Sequence, residues 1–348
     1  MFVLNVRNAH EGLWQGLHYL KFNGLEQESR NGPVVRADGP VSTVYHSPME
    51  RVVFWPTRDA NPFFHTYEAL WMLAGRNDVR SVARYAKQMM AYSDDGVTLH
   101  DAYGYRWRKH FQFDQLKKII GILKRNPLDR QCVLEMWDAP SDLDRGGKAV
   151  PCNLIATFQV DPFYKNNLNM VVFNRSNDII WGTYGANAVH FGFLLEYVSR
   201  NAGFKPGTYT QISVNYHAYK DQYDKNIGIV TKYDDLNVPP FNYPRWIPMP
   251  IEADAYIEGV LDSSDNMGYP IVNYGTRLYD THEWGSMMHR MMWAHQFYRA
   301  KELESALSVL RDAPDCDWTQ AGKEWITRRI EKRRAFAELY SADTDGGV

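Results

Sequence analysis

Apolar residues recur at helical spacing from Pro62 to about Met90, as in Tyr67, Leu70, Trp71, Leu73 and Ala74. Upstream, residues 1–60 are broken by Asn31-Gly32-Pro33 and Asp38-Gly39-Pro40, which predicts short strands and loops. A second helix is predicted over Phe113–Lys124, ended by Asn126-Pro127. RQCVLEMW (130–137), CNLIATFQV (152–160) and LNMVVF (168–173) read as strands, and Thr208–Tyr219 is strand-like. The polar, turn-rich APSDLDRGGK (140–149) reads as a surface loop. An amphipathic helix is predicted from about Asn187 to Ala202, with Phe191, Leu194, Leu195, Val198 and Ala202 on one face. The stretch 235–280 is rich in Pro, Asn and Asp, and its regularity is weak. From Glu283 to Tyr340 the pattern is helical again, and its charged run KEWITRRIEKRR reads as a solvated helix face. Helices and strands intermix without a βαβ rhythm, so the fold class is α+β.

The chain has 348 residues, enough for one large domain or two smaller ones. Its 39 basic and 41 acidic side chains give a net charge of −2, which argues against a dedicated nucleic-acid binder. No apolar run approaches the ~20 residues that span a bilayer. The start, MFVLNVRNAHEG, lacks the plan of a signal peptide, so a cytoplasmic protein without a membrane or stable nucleic-acid partner is expected. The cysteines are Cys132, Cys152 and Cys316, too few for a disulfide framework and without zinc-ligand spacing, so no metal is expected. Aromatic residues make up 14% of the chain, which suits either a pocket that stacks flat ligands or a large core.

The chemistry concentrates between Pro151 and Tyr219. Cys152 follows the polar segment and opens a strand, where a side chain can face a cleft; a lone cysteine is otherwise a small buried hydrophobe. A nucleophilic role needs thiolate, hence a nearby cation, and Arg175 is one strand away. Arg175 sits in Asn174-Arg175-Ser176-Asn177-Asp178, a polar cluster directly after an apolar run. That cluster suits ligand contacts or a capped turn. Trp181-Gly182-Thr183-Tyr184-Gly185-Ala186-Asn187 permits close backbone approach at its glycines. His217 and Tyr219 point the same way if they lie in a strand; taken alone, His217 reads better as a satisfied core histidine.

Taken in order, these residues resemble the thymidylate synthase superfamily, which includes phage and antibiotic-pathway pyrimidine hydroxymethylases. The resemblance rests on Pro151-Cys152 before a strand, Arg175-Ser176-x-Asp178, a glycine-containing turn, Asn187 opening a helix, and His217-x-Tyr219. Upstream, Tyr67-Glu68-Ala69-Leu70-Trp71 is similar to the helix that bears the family's catalytic glutamate. Ala102-Tyr103-Gly104-Tyr105-Arg106-Trp107 is similar to its Tyr-Gly-x-x-Trp-Arg segment, and Asp129-Arg130-Gln131 to its paired-arginine strand. Matching segments run from about residue 29 to 225.

The resemblance implies a thymidylate synthase-like mixed sheet packed with helices, dimeric through the sheet, over 1–282. Residues 283–348 form a helical extension without a family counterpart, packed on the same domain; Met287, Met288, Met291 and Met292 fall at core spacing. It also implies that Cys152 adds to C6 of a pyrimidine deoxynucleotide, whose C5 then takes a carbon from 5,10-methylenetetrahydrofolate. Glu68 is implied as the general acid–base residue, with Tyr103 near the nucleophile. Arg175, Ser176, Arg30 and, from the neighbouring subunit of a homodimer, Arg130 are implied to hold the phosphate. His217 and Tyr219 are implied to bond the sugar 3′-hydroxyl, and Asp178 and Gly182 to face the folate. Asn187 is implied as the base reader: an amide offers a donor to O4 and an acceptor to N3–H, which fits dUMP. Cytosine-specific members carry Asp there.

The sequence departs from the family at several places. Gln131 replaces the second arginine, and the turn before Asn187 is one residue longer. Leu99-His100-Asp101 places His100 where synthases carry a shielding tryptophan. Asn153 follows the nucleophile where synthases commonly have His, and the chain ends ADTDGGV in place of an apolar closing tail. The last three departures favour admission of water, hence hydroxymethylation of dUMP, with His100 or Glu68 positioning that water. The alternatives are a thymidylate synthase, a dCMP hydroxymethylase, and a non-catalytic nucleotide- or RNA-binding relative. A cysteine hydrolase using Cys152 and His217 fits poorly, because no oxyanion-hole signature accompanies the cysteine.

Overall fold

The computed structural model describes residues 1–147, 149–232, 243–266 and 282–344. Its strands are β1 (Phe2–Val6), β2 (Gly24–Gln27), β3 (Val34–Ala37), β4 (Val41–Tyr45), β5 (Val133–Glu135), β6 (Asn153–Val160), β7 (Asn167–Asn174), β8 (Asn177–Asp178), β9 (Lys205–Ser213) and β10 (Tyr216–Tyr219). The longer helices are α1 (Ala9–Asn23), α2 (Pro62–Leu73), α3 (Gln115–Arg125), α4 (Asn187–Ala202), α5 (Asp254–Asn266), α6 (Glu283–Arg299), α7 (Leu303–Arg311) and α8 (Asp317–Thr344). A six-stranded sheet runs β1-β4-β9-β7-β6-β5, and a four-stranded sheet runs β2-β3-β10-β8. The larger sheet is mixed: β7 pairs parallel with β9 and antiparallel with β6. The α+β expectation therefore holds. Among the described residues, no helix is long and apolar enough to cross a membrane.

Period-2 burial sets the sheet. In β7, Leu168, Met170, Val172 and Asn174 are buried, while Asn167, Asn169, Val171 and Phe173 are half-buried on the other side. Helix α2 starts at Asn61, whose side-chain oxygen accepts the backbone N–H of Phe63 and of Phe64, each at 3.1 Å, with Pro62 in the first turn. It is buried nearly all round because α4, α5, α6 and α8 all pack on it. Helix α4 has the predicted limits and ends at Gly203, whose φ of +91° is the left-handed conformation that glycine accepts without strain.

Four expectations need correction. Residues 1–60 hold the helix α1 as well as strands and loops. Gly12 and Gly16 weaken its helical signal, yet they are needed: a Cβ at Gly12 would lie 2.6 Å from the Tyr184 ring. Segment 140–149, of which Lys148 lies outside the described residues, is not all surface loop. A short helix over Ala139–Asp142 buries the Asp142 carboxylate, which accepts two bonds from Arg106 at 2.7 and 2.9 Å. The stretch 235–280, described only over 243–266, contains α5. Thr208–Tyr219 is divided between the two sheets, as β9 and β10.

In α8 the charged run is solvated on one side only: Trp325, Ile326 and Ile330 are buried, and Arg328 and Arg329 pair with Asp59 at 2.7 and 3.0 Å. The four methionines of α6 are core, as their spacing predicts.

A buried ion pair ties the chain beyond residue 243 to α4 and to the segment before α2. Arg51 and Glu196 meet at 2.7 Å with both side chains almost fully buried. The second Glu196 oxygen accepts from the Trp246 indole at 3.1 Å and the Met249 N–H at 2.6 Å. The Arg51 guanidinium also lies over the Phe193 ring at 3.6 Å. Removing one partner leaves the other charge buried, so Glu196→Ala is expected to cost about 3–5 kcal/mol. Urea unfolding of the variant checks this; a loss below about 1 kcal/mol would show that Arg51 is satisfied without Glu196.

Candidate active site

The site starts from Tyr103. Gly104 packs directly on the Met72 carbonyl, where a Cβ would collide, and this presses the Tyr103 segment onto α2. The Tyr103 hydroxyl oxygen accepts the backbone N–H of Cys152 at 2.9 Å and of Asn153 at 3.2 Å. These two groups open β6, where the ladder to β7 shifts register between Asn153 and Ile155. Burial pushes the Tyr103 phenol well up, with the Cys152 and Asp101 charges adding to it.

Cys152 is half-buried. Burial pushes its thiol above the ordinary value; Arg175 and Arg30 pull it down and Asp101 pushes it up. The cation expected from the sequence is in place, yet burial outweighs it, and the net shift of the thiol is upward. The Arg175 side chain donates to the Pro151 carbonyl at 2.7 Å and the Val150 carbonyl at 3.1 Å, which couples it to the backbone just before the cysteine. Ser176 follows, half-buried. Arg30 is exposed in the Ser29–Gly32 turn, close enough for its charge to be felt at Cys152. Arg130 is exposed just before β5 and does not figure among the charges acting on that thiol.

Glu68 is buried on α2, and its Oε2 lies 2.8 Å from His190 Nε2. His190 was not singled out in the sequence; its signal is a histidine one turn after Asn187 on the same helix. Behind this pair, burial holds the His65 imidazole well below its ordinary range, and the Arg58 and His190 charges lower it further.

His100 is tied into a polar cluster. Its ring bonds Asp142 at 2.7 Å and contacts Arg106 at 3.0 Å, and it lines a polar pocket with Asn77, Asp94, Thr98 and Tyr105. The neighbouring Asp101, also not singled out, is the group from this segment that acts on Cys152 and Tyr103. Burial raises its carboxyl to about 6, against the pull of Arg106 and with a push from Glu68 and Asp142.

Asn187 opens α4 with its side chain buried. The extra residue in the preceding turn is absorbed by a wide helical turn over Ile179–Ala186, broken at Gly185. The Asn187 amide pairs reciprocally with the Asn153 amide, both bonds 3.3 Å long, and donates to Asn177 Oδ1 at 3.0 Å. Asn174 also donates to Asn153 Oδ1.

Asp178 caps that wide turn: Oδ1 accepts the N–H of Ile180 at 2.9 Å and of Trp181 at 2.5 Å, and Oδ2 that of Tyr219 at 3.2 Å. Burial raises its carboxyl, opposed by these bonds and by His217. The Trp181 ring is exposed, with the Arg58 guanidinium 4.3 Å from its centroid. Arg58 is itself buried, lowered to about 10 by that burial, and donates to the Ile180 carbonyl at 2.9 Å. Gly182 leaves room for Asn177, since a Cβ there would sit 2.5 Å from Asn177 Oδ1. His217 and Tyr219 share one side of β10, their rings edge-on at 5.4 Å, and Asn31 donates to the Tyr219 hydroxyl at 3.3 Å.

A sulfur nucleophile, polar amides beside it and arginines around it suit the addition of a thiol to a flat, hydrogen-bonding ring that carries an anion. Comparison with known proteins agrees in kind. The thymidylate synthase family model matches residues 23–243, and the chain belongs to that family. It is 43% identical to a deoxyuridylate hydroxymethyltransferase of Pseudomonas phage M6, over 100% of this chain and 99% of that one. It is 35% identical to a deoxyuridylate hydroxymethyltransferase of Bacillus phage SP01, over 56% of this chain and 53% of that one. A thymidylate synthase of Clostridium beijerinckii is 29% identical over 49% of this chain and 63% of its own length.

The cation effect on the cysteine is measurable without substrate. Alkylation of Cys152 by iodoacetamide is expected to rise through alkaline pH, with its midpoint above that of a free thiol. Removing a cation raises a thiol's pKa, so Arg175→Gln is expected to shift the midpoint up by about one unit. An unchanged midpoint would show that the guanidinium does not act on the sulfur.

Proposed function

We propose that this protein hydroxymethylates dUMP at C5, giving 5-hydroxymethyl-dUMP. The observation that carries the reading is the end-to-end similarity to a phage deoxyuridylate hydroxymethyltransferase. That similarity includes the helices after residue 282, which lie beyond the thymidylate synthase family match.

Cys152 adds through sulfur to C6, and C5 gains the electron density to attack. Arg175, Ser176, Arg30 and, across a homodimer, Arg130 hold the phosphate. His217 and Tyr219 bond the 3′-hydroxyl, and Asn187 reads O4 and N3–H. 5,10-Methylenetetrahydrofolate would supply the one-carbon unit: C5 bonds its methylene carbon and loses its proton, the bond from that carbon to the folate nitrogen breaks, and tetrahydrofolate leaves, so that the carbon remains on C5 as a methylene open to water. The exposed Trp181 ring beside the half-buried Asp178 carboxylate, with Gly182 keeping the turn close, fits a flat pterin that presents N–H groups. Glu68, held by His190, accepts the proton of the water that attacks the carbon now on C5; Asp101, at about 6, is the second carboxyl available for proton transfer. Loss of the C6–sulfur bond then frees product and thiol. The reaction takes place in the cytoplasm, on soluble substrates.

The product decides between water and hydride. Incubated with dUMP and methylenetetrahydrofolate, the protein is expected to yield 5-hydroxymethyl-dUMP and tetrahydrofolate by mass spectrometry. Production of dTMP with dihydrofolate would establish the synthase reading instead. The shared site has its own test, because the half-exposed side of the six-stranded sheet is the proposed dimer face. Mixing inactive Cys152→Ala and Arg130→Ala proteins is expected to restore about a quarter of wild-type activity through heterodimers with one intact site. No recovery, with exchange of subunits demonstrated, would place Arg130 outside the site.

A further inference from the structure

The two ends of an asparagine amide are nearly the same size, so the partners around it decide which end faces a ligand. For Asn187 those partners form a chain that ends on a group with no ambiguity. The Thr183 backbone carbonyl only accepts. It takes a bond from Gln211 Nε2 at 2.9 Å and one from the Tyr45 hydroxyl at 2.8 Å. Gln211 Nε2 also donates to the Tyr45 oxygen at 3.0 Å. The nitrogen of Gln211 is thereby fixed toward Thr183, and its Oε1 faces Asn177. Asn177 Nδ2 donates to that oxygen at 2.9 Å and to Ser213 Oγ at 3.1 Å. Asn177 Oδ1 is then left pointing at Asn187, and it accepts from Asn187 Nδ2 at 3.0 Å. Every member of the chain is buried, so water does not substitute for a lost partner at low cost. Gly182 gives Asn177 Oδ1 the space to hold this position.

We infer that Asn177, oriented by Gln211, is the positioning residue that sets uracil over cytosine. The inference rests on the proposed reading of Asn187 as the base reader. Reversing the Asn187 amide would set two carbonyl oxygens against each other at hydrogen-bond distance. Its outward edge therefore shows a donor and an acceptor in fixed order, the pair now met by Asn153. Uracil presents O4 as acceptor and N3–H as donor. Cytosine presents the opposite order, an amino donor and N3 as acceptor. A ring pinned at C6 and at the phosphate cannot turn over to compensate, so cytosine leaves both pairs mismatched.

The test is the ratio of dCMP to dUMP dissociation constants, measured by calorimetry on the full chain, so it does not depend on the fate of the added carbon. Asn177→Ala and, independently, Gln211→Met are each expected to shrink that ratio by about tenfold or more, since the amide then answers only to Asn153, and the Asn153 and Asn174 amides can turn over with it. A merely structural role would weaken both nucleotides together and leave the ratio alone. If Asn187→Ala abolishes the discrimination while both other variants keep it within about twofold of wild type, the orienting role is overturned and the base reader stands. If Asn187→Ala itself keeps the discrimination, the base-reading assignment fails, and the orienting role with it.

Discussion

The acceptance of two backbone N–H bonds by the Tyr103 hydroxyl is the constraint from which the site follows. The first residues of β6 cannot satisfy their N–H groups through an ordinary ladder, because the pairing with β7 slips there. One phenol oxygen takes both, and it fixes the backbone of Cys152 and Asn153 together. Cys152 and the amide facing Asn187 are thus placed by one acceptor oxygen. Tyr103 is in turn placed by Gly104 against α2, the helix that carries Glu68. Sulfur and carboxylate are accordingly referenced to the same rigid element, as a site needs when atoms must meet within fractions of an ångström.

Burial governs the charges around this frame. It pushes the Cys152 thiol above its ordinary value and raises the Asp101 carboxyl to about 6. It also holds His65 neutral. The cations that oppose it act from the rim: Arg175 through the carbonyls just before the cysteine, Arg30 from an exposed turn. Under the proposed function a phosphate drawn to Arg175 competes with those carbonyls, which would link its binding to the backbone just before Cys152. The site therefore spends little on holding charge before a substrate arrives.

Much of this was legible in the chain. Helix α4 showed its limits through an apolar stripe and a terminal glycine, and Cys152, Arg175, Asn187 and His217 stood in an ordered series. What escaped had physical causes. Helix α1 was masked because Gly12 and Gly16, low in helix propensity, are required by the Tyr184 and Tyr216 rings packed on them. Asp142 looked like a loop residue because its partner, Arg106, is remote in sequence. His190 gave only its place one turn after Asn187, and Gln211 no local signal: each matters through one neighbour that only the folded sheet-and-helix arrangement brings within bonding distance.

The bonds that hold His100 bear on how water is managed. A histidine in place of a shielding tryptophan suggested that its ring would hold the water. The ring instead completes the Asp142–Arg106 cluster, where bidentate guanidinium bonds leave it little freedom. A ring held this way has little room to act as a base, whereas Glu68 is paired with His190 and the Asp101 charge acts on Cys152. Under the proposed hydroxymethylation, opening the site to water and activating that water therefore fall to different residues.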